Sequence, residues 1–307
     1  MHGRNAPVKK LAILEEVDPG WRTRLARALQ VCRTNYYRQP VTQKAKDDVA
    51  VAALRAAHAE HPFYGVERLA LHLGWNQKKA RRIRSLSGIV VPTAGKKHRS
   101  RPGTAEIPPA PNVLGRYAQP KNAARPQDGM SYRAMTNAHA WVQDFTYLKF
   151  QGAWYYLAVV LDVQTRQIVG WRLGASHSSE LTYAAMLDAL SKYPPPAILH
   201  SDQGSEYLGY KHRDLCDRYE IELSCSEAGK PWQNGYMERW FGGFKLELGT
   251  LTKFVDLDRL HERIAGQVFY YNTKRIHSAL KMSPAAYAAS LISKPESLEP
   301  VLQKGGG

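Results

Sequence analysis

Three acidic residues interrupt or end segments that otherwise have the composition of buried core elements. Asp144 lies within the apolar and aromatic stretch "WVQDFTYL", Asp202 ends "PAILHSD", and Glu238 lies near the start of the amphipathic stretch "NGYMERWFGGFKLEL". An ionised acid at the edge of a core costs free energy unless it is paired or binds a metal ion. A metal site built from carboxylate oxygens, without Cys or His ligands, suits Mg²⁺ or Mn²⁺. Two such ions about 3.5–4 Å apart can bind both the attacking and the leaving oxygen of a phosphodiester.

Each acid taken alone also has an ordinary structural explanation. Asp202 in "SDQG" fits a turn, Glu238 fits the favourable charge at a helix N-terminus, and Asp144 fits a buried acid bonded to backbone amides. The spacing favours the chemical interpretation. Residues 145–201 separate the first two acids, and the 35 residues 203–237 separate the second from the third.

The elements that must position these acids have the pattern of an α/β domain. In open α/β sheets, functional groups collect at the strand ends, so acids from three separate segments can converge there. We predict strands in "HAWVQDFTYLKF", "AWYYLAVVLDV", "QIVGWRL", "PAILHSD" and "IELSC", and helices in "SSELTYAAMLDALSKY", near 210–219, from Glu238 onward and over 256–271.

The chain is strongly basic, which favours a polyanionic partner. Its 307 residues contain 43 Lys and Arg against 27 Asp and Glu, giving a net charge of +16 and a pI of about 9.7. Nucleic acid is the usual partner of such a chain, although ribosomal proteins and membrane-surface proteins can be equally basic. The three cysteines lack C-x-x-C spacing, and no apolar run approaches about 18 residues, so we expect a cytoplasmic protein with no membrane contact.

Residues 61–89 have the outline of a helix-turn-helix. Gly74 separates two short amphipathic segments, and Asn76 is placed to cap the second one. A small helical bundle with a solvated cationic face is the alternative, but neighbouring like charges repel, which favours contacts to DNA phosphates. The cations of the second helix are Lys78, Lys79, Arg81, Arg82 and Arg84. The Pro- and Gly-rich stretch that follows adds Lys96, Lys97, Arg99 and Arg101 as predicted DNA contacts.

The acid pattern and its flanks resemble a known family. An Asp, a second Asp and a Glu 36 positions later, within "WVQDFTYL", "LHSDQGSEY" and "NGYMERWFGGFKLEL", resemble retroviral-integrase-like transposases. Together with "YYNTKRIHSALKMSPAAY" and "YGVERLALHLGWNQKKARRIRSLSGI", they are most similar to the downstream-frame protein of the insertion sequence three family. The resemblance covers most of residues 21–290. It implies a ribonuclease-H-like integrase core, a mixed five-stranded sheet flanked by helices, preceded by an all-α helix-turn-helix region.

On this basis we divide the chain into six parts. These are an N-terminal helical region (1–60), a helix-turn-helix DNA-binding region (61–91), a basic Pro-rich linker (92–130), an integrase-like catalytic core (131–255), C-terminal helices that complete the core (256–300) and a tail (301–307).

The resemblance also implies the chemistry and the partners. Asp144, Asp202 and Glu238 would hold two Mg²⁺ ions, with Mn²⁺ as a substitute. Water, and then a freed 3′-hydroxyl, would attack phosphodiesters in line at the element ends, with no covalent protein–DNA intermediate. The expected partners are double-stranded DNA, further copies of this chain, and an upstream-frame protein with a helix-turn-helix and a leucine zipper, all at the bacterial nucleoid. Four other acids are implied not to be ligands: Asp162, Glu206, Glu227 and Glu247.

Several residues near Glu238 are candidates for DNA contact or support. Gly242 and Gly243 leave bare backbone for a close approach of DNA or of a neighbouring strand. Asn234 is predicted to be the helix N-cap, and His200 to point away from Asp202. The predicted DNA contacts in this part of the chain are Lys230, Arg239, Lys245 and Arg275.

Two other functions compete with DNA strand transfer. A DNA-binding regulator or accessory subunit would have an inactive core or would need an upstream partner segment, and the three intact acids argue against an inactive core. A stand-alone nuclease such as a ribonuclease H would need neither the basic helix-turn-helix nor the cationic linker.

Overall fold

A computed structural model describes residues 18–30, 43–92, 110–120, 130–131, 139–207, 209–227 and 230–293 of the chain. Four of the predicted DNA contacts, Lys96, Lys97, Arg99 and Arg101, lie outside these ranges. Within them, no helix is both long enough and apolar enough to cross a membrane.

The N-terminal part is a helical unit. Its helices are α1 (Pro19–Ala28), α2 (Gln43–Glu60), α3 (Val66–His72) and α4 (Gln77–Ser87). Asn76 caps α4 by accepting a hydrogen bond from the Lys79 backbone N–H at 2.8 Å, and Gly88 ends it with a φ of 70°. Leu54, Leu69 and Ile83 are fully buried between α2, α3 and α4.

The second part is a five-stranded mixed sheet. Its strands are β3 (Ala140–Phe150), β4 (Ala153–Asp162), β5 (Ile168–Gly174), β6 (Ile198–Ser201) and β7 (Glu222–Cys225), preceded by the two-residue pair β1 (Gln119–Pro120) and β2 (Met130–Ser131). The sheet order is β5-β4-β3-β6-β7. Strands β3, β4 and β5 are antiparallel neighbours, whereas β6 and β7 continue the sheet in parallel with β3.

Helices cover both faces of the sheet. They are α5 (Ser179–Leu190), α6 (Tyr210–Arg218), α7 (Gly235–Leu248), α8 (Leu257–Thr273) and α9 (Pro284–Ile292). Successive residues of β3 face opposite sides of the sheet and enter two separate cores. Val142 packs with α7 and α8, and Trp141 packs with α5 and α6. The predicted mixed five-stranded sheet flanked by helices is therefore confirmed.

Two close approaches join elements that are distant in sequence. At Gly170 in β5, a Cβ atom would lie 2.3 Å from the Ala185 carbonyl oxygen of α5, so only glycine allows this packing. Within the stretch predicted as linker, Leu114 is fully buried, and its N–H donates to Ser224 Oγ at 3.0 Å. This part of the stretch therefore packs against the sheet beside β7.

The helical unit contacts the core at the last turn of α8 and at the segment that follows this helix. The Ile276 backbone N–H donates to the Tyr64 hydroxyl at 2.8 Å, and His61 Nδ1 lies 2.7 Å from the Tyr270 hydroxyl. Ile276 also packs against the core of the helical unit.

Candidate active site

Strands β3 and β6 bring the first two acids side by side. Ala140 lies opposite Ile198 and Val142 lies opposite His200, in a parallel register. Two residues beyond the last pair, the same register places Asp144 beside Asp202, which directly follows β6. Adjacent strands lie about 4.8 Å apart, so the two carboxylates meet at the carboxyl end of β6.

Asp144 has the most perturbed environment of the three acids. Burial, and then the negative charges of Asp202 and Glu238, raise its pKa from 3.8 to about 8, against the opposing hydrogen bond from the Phe145 N–H to its Oδ1 at 2.8 Å. Electrostatic coupling of this kind requires the three acids to be near one another. No Lys or Arg in the described ranges forms an ion pair with any of these three acids.

The start of α7 positions Glu238. Asn234 occupies the N-cap position but makes no side-chain capping bond, so the predicted cap is wrong in its chemistry. Its side chain is buried, and Nδ2 instead donates to the Gln143 carbonyl oxygen at 3.3 Å. This bond ties the first turn of α7 to the strand residue before Asp144. Glu238, which is exposed in that first turn, is thereby held beside β3.

A fourth carboxylate, Glu206, approaches the site. It is buried in the turn after β6, and its carboxylate forms an ion pair with His177 Nε2 at 3.3 Å. Asp202 is exposed, yet the surrounding protein displaces enough water to raise its pKa, and the charge of Glu206 raises it further. The family resemblance implies that Glu206 is not a ligand, and this stays a prediction. The charge of Glu206 nevertheless raises the pKa of both Asp202 and Asp144.

The three acids are not drawn together as tightly as the ligands of a single ion. Among the described residues, the only three His, Cys, Asp or Glu side chains with ligand atoms all within 4.8 Å of one another are Glu60, His61 and His72, in the helical unit. Two ions about 3.5–4 Å apart spread their ligands over a wider area than one ion does.

The other acids named above have partners of their own. Asp162 ends β4, where it accepts hydrogen bonds from the Gln164 and Thr165 backbone N–H groups at 2.8 and 2.6 Å and from the His139 ring. Glu227 is paired with Lys230, and Glu247 with Arg275 at 2.7 Å.

His200 points away from Asp202, as expected. It is fully buried and hydrogen-bonded to the hydroxyls of Ser224 and Ser226, each at 2.9 Å. Burial lowers its pKa to about 4, so the ring is neutral at pH 7. His200 therefore joins β6 to β7 and to the turn that follows β7.

The predicted DNA-contacting cations fall into two groups. The side chains of one group are exposed: Lys78, Lys79 and Arg81 on α4, and Arg239 and Lys245 on α7. Arg82, Lys230 and Arg275 instead form ion pairs. Arg82 makes a two-pronged contact with Asp47 of α2 at 2.5 and 2.8 Å. The positive face of α4 therefore has an acid beside it. This acid lies on α2, 35 residues before Arg82 in the sequence, so the sequence around α4 does not reveal it.

Comparison with known proteins agrees with this arrangement. Two family profiles described as "Integrase core domain" match residues 136–231 and 219–284. These ranges contain all five strands of the large sheet and all three acids.

Relatives match over nearly their whole length. The chain is 30% identical to the uncharacterized 31 kDa protein of insertion element IS600 from Shigella sonnei, over 84% of this chain and 94% of that protein. It is 28% identical to the transposase for insertion sequence element IS904 from Lactococcus lactis, over 80% and 94%. Among solved structures it is similar to the HTLV-2 integrase catalytic core domain in complex with magnesium, at 22% identity, 49% and 95% coverage and a TM-score of 0.42.

The mixed sheet with acids at its strand ends is the catalytic core of a polynucleotidyl transferase. The chain belongs to the bacterial insertion-sequence transposases with an integrase-like core. It is a DNA transposase, an enzyme of the DDE class named for its two aspartates and one glutamate.

Proposed function

We propose that Asp144, Asp202 and Glu238 hold two Mg²⁺ ions, which Mn²⁺ can replace, and that this site cuts and joins DNA at the ends of the mobile element. The observation that supports the proposal most directly is the parallel register of β3 and β6, together with the Asn234–Gln143 bond that ties the first turn of α7 to β3. Burial and the charges of the other acids also raise the pKa of Asp144 to about 8. Three carboxylates placed together without a cationic partner are costly, and divalent cations with oxygen ligands remove that cost.

The residues of the chain have separate tasks in this proposal. Bound ions would activate the attacking oxygen and stabilise charge on the leaving oxygen. Asp144 and Asp202 are fixed by neighbouring strands, and Asn234 holds Glu238 against β3. Because the pKa of Asp144 is high, its carboxyl keeps a proton at pH 7 until a cation displaces it, so ion binding releases a proton.

The remaining assignments concern partners. Exposed cations on α4 and α7 bind the phosphates of double-stranded DNA, and several copies of this chain assemble on the two element ends. An upstream-frame protein supplies further recognition of those ends, and the complex works in the bacterial cytoplasm at the nucleoid. The basic charge of +16 supports the DNA contacts.

Strand joining tests the proposal. Purified protein and Mg²⁺ are incubated with duplexes that carry the ends of the element, and joined products are measured together with DNA binding. We expect Asp202→Asn to abolish joining and to leave binding intact, whereas Asp217→Asn, at an exposed position on α6, retains both.

Other results would contradict the proposal in different ways. Joining by the Asp202→Asn protein would remove the site assignment. Binding without cleavage by the wild type would favour the accessory-subunit function, in which an upstream segment is required. Cleavage of an RNA strand alone would favour a nuclease.

A further inference from the structure

An arginine-lined cavity of about 280 Å³ lies where the helical unit meets the catalytic core. Its walls come from α3, the turn between β4 and β5, α7 and the segment after α8. We call it the arginine cavity, after Arg68, Arg166, Arg239 and Arg275. Only Arg239 and Arg275 are among the DNA contacts predicted from the sequence.

The lining of the cavity has an excess of positive charge. Glu247 is the only acid among its lining residues, and its carboxylate is already paired with Arg275 at 2.7 Å. The four arginines and one glutamate among the described lining residues therefore carry a net charge of +3. Burial, together with the nearby arginines, lowers the pKa of the lining residue His277 to about 3, so this ring adds no charge at pH 7.

Two buried arginine N–H groups also lack acceptors. Arg166 is only 8% exposed; its guanidinium stacks 3.7 Å above the ring of Tyr236, and Nη2 donates to the Tyr236 hydroxyl at 2.9 Å. Its Nη1 is buried with no hydrogen-bond partner among the described residues, and so is Nε of Arg68. Charged donors left without acceptors are costly in a folded protein. An anion with several oxygens in the cavity would offset the positive charge of its lining.

We infer that the arginine cavity binds a phosphate group, and that this phosphate belongs to the backbone of the DNA. The planar guanidinium fork matches the oxygens of a phosphate. Arg239, the exposed member of the four, directly follows Glu238 on α7, so the cavity and the acid site share this helix, on faces that are about 100° apart. Gly243, one turn further along α7, lines the cavity without a side chain.

This inference rests on the proposed function, because it assumes that DNA passes over α7. Its consequence is that one backbone phosphate bridges the helical unit and the catalytic core. The alternative is a purely internal network in which Glu247 and the arginines hold the two parts together and no phosphate enters.

The dependence of DNA affinity on salt separates these two accounts. Binding of a labelled end duplex is measured by fluorescence anisotropy between about 50 and 300 mM salt, for the wild type and for Arg166→Gln and Arg68→Gln. Each lost phosphate contact reduces the slope of log K against log salt by about 0.9. We expect that reduction in both variants, with affinity about tenfold weaker at physiological salt.

The matched control is Arg218→Gln, at an exposed arginine on α6 that pairs with Asp214. We expect its slope and affinity to equal those of the wild type. Thermal melts verify folding, and Arg68→Gln, at a residue that is less buried than Arg166, decides the question if Arg166→Gln does not fold. A parallel titration with inorganic pyrophosphate asks whether a free anion raises the melting temperature of the wild type.

Three outcomes are decisive. A reduced slope in a folded cavity variant, with a normal slope in the control, supports the inference. Unchanged slopes in the folded variants overturn it, and stabilisation by pyrophosphate with unchanged DNA slopes overturns the assignment to the DNA backbone. Because binding is measured without Mg²⁺, failure of strand joining by a protein that passes this test would count against the proposed catalytic site alone.

Discussion

Replacing Asp144 by asparagine is expected to stabilise the metal-free protein while removing its activity. The wild-type carboxyl has a pKa of about 8 in the folded protein, because burial and the charges of Asp202 and Glu238 disfavour its ionised form. In the unfolded chain the same group has an ordinary pKa near 4. Between these two values the folded state binds one more proton than the unfolded state, so wild-type stability falls as the pH rises. Asparagine does not titrate and avoids this loss.

The size of the effect follows from the same two pKa values. Each unit of pKa difference corresponds to about 1.4 kcal/mol, and about three units lie between the unfolded pKa and pH 7. The upper limit at pH 7 is therefore about 4 kcal/mol. Because Asp144 is only partly buried and its acidic neighbours can take up protons in its place, we expect about 2–4 kcal/mol. The gain is absent below about pH 4, grows between pH 4 and 8, and is constant above that.

Urea denaturation in EDTA at pH 5, 7 and 8.5 measures this difference. Asp217→Asn is the control; its side chain is exposed, so we expect it to match the wild type within about 0.5 kcal/mol. Mg²⁺ should then stabilise the wild type more than Asp144→Asn, because only the wild type keeps all three carboxylates. An Asp144→Asn protein that is no more stable than the wild type at pH 7 would refute the electrostatic reasoning.

Two further predictions concern packing and the support of the site. Gly170→Ala should destabilise the protein by about 2–3 kcal/mol in urea, because its Cβ would lie 2.3 Å from the Ala185 carbonyl oxygen, whereas Gly266→Ala, with open space on α8, should stabilise it by about 1 kcal/mol. Equal effects of the two changes would contradict this account. Asn234→Ala should weaken Mn²⁺ binding about tenfold by calorimetry, because Glu238 loses the bond that ties its helix to β3. Unchanged Mn²⁺ affinity would mean that other contacts position Glu238.

The sequence was sufficient to predict the sheet, and the three acids it singled out stay a prediction. The long strands are rich in apolar and aromatic residues and are bounded by turn residues, so their type could be assigned locally. The proximity of Asp144 and Asp202 depends on the parallel register of β3 and β6, which the sequence suggested only through the family resemblance.

Contacts between distant segments could not be predicted in the same way. Arg82 pairs with Asp47, and Arg275 with Glu247, and each pair joins different helices or segments whose approach is decided by packing. The effect of Glu206 on the pKa of Asp202 was not foreseen either, because it depends on how the turn after β6 folds. Asn234 has the residue type of a cap, which would accept a hydrogen bond from a backbone N–H, but it is buried against β3 and instead donates from Nδ2 to the Gln143 carbonyl oxygen.

The most direct test of the central claim is the anomalous diffraction signal of Mn²⁺ in crystals of the full chain. We predict two peaks, each bounded by carboxylate oxygens of Asp144, Asp202 or Glu238, and the loss of at least one peak in Asp144→Asn. The absence of peaks at these three acids, with Mn²⁺ bound elsewhere on the chain, would contradict the account.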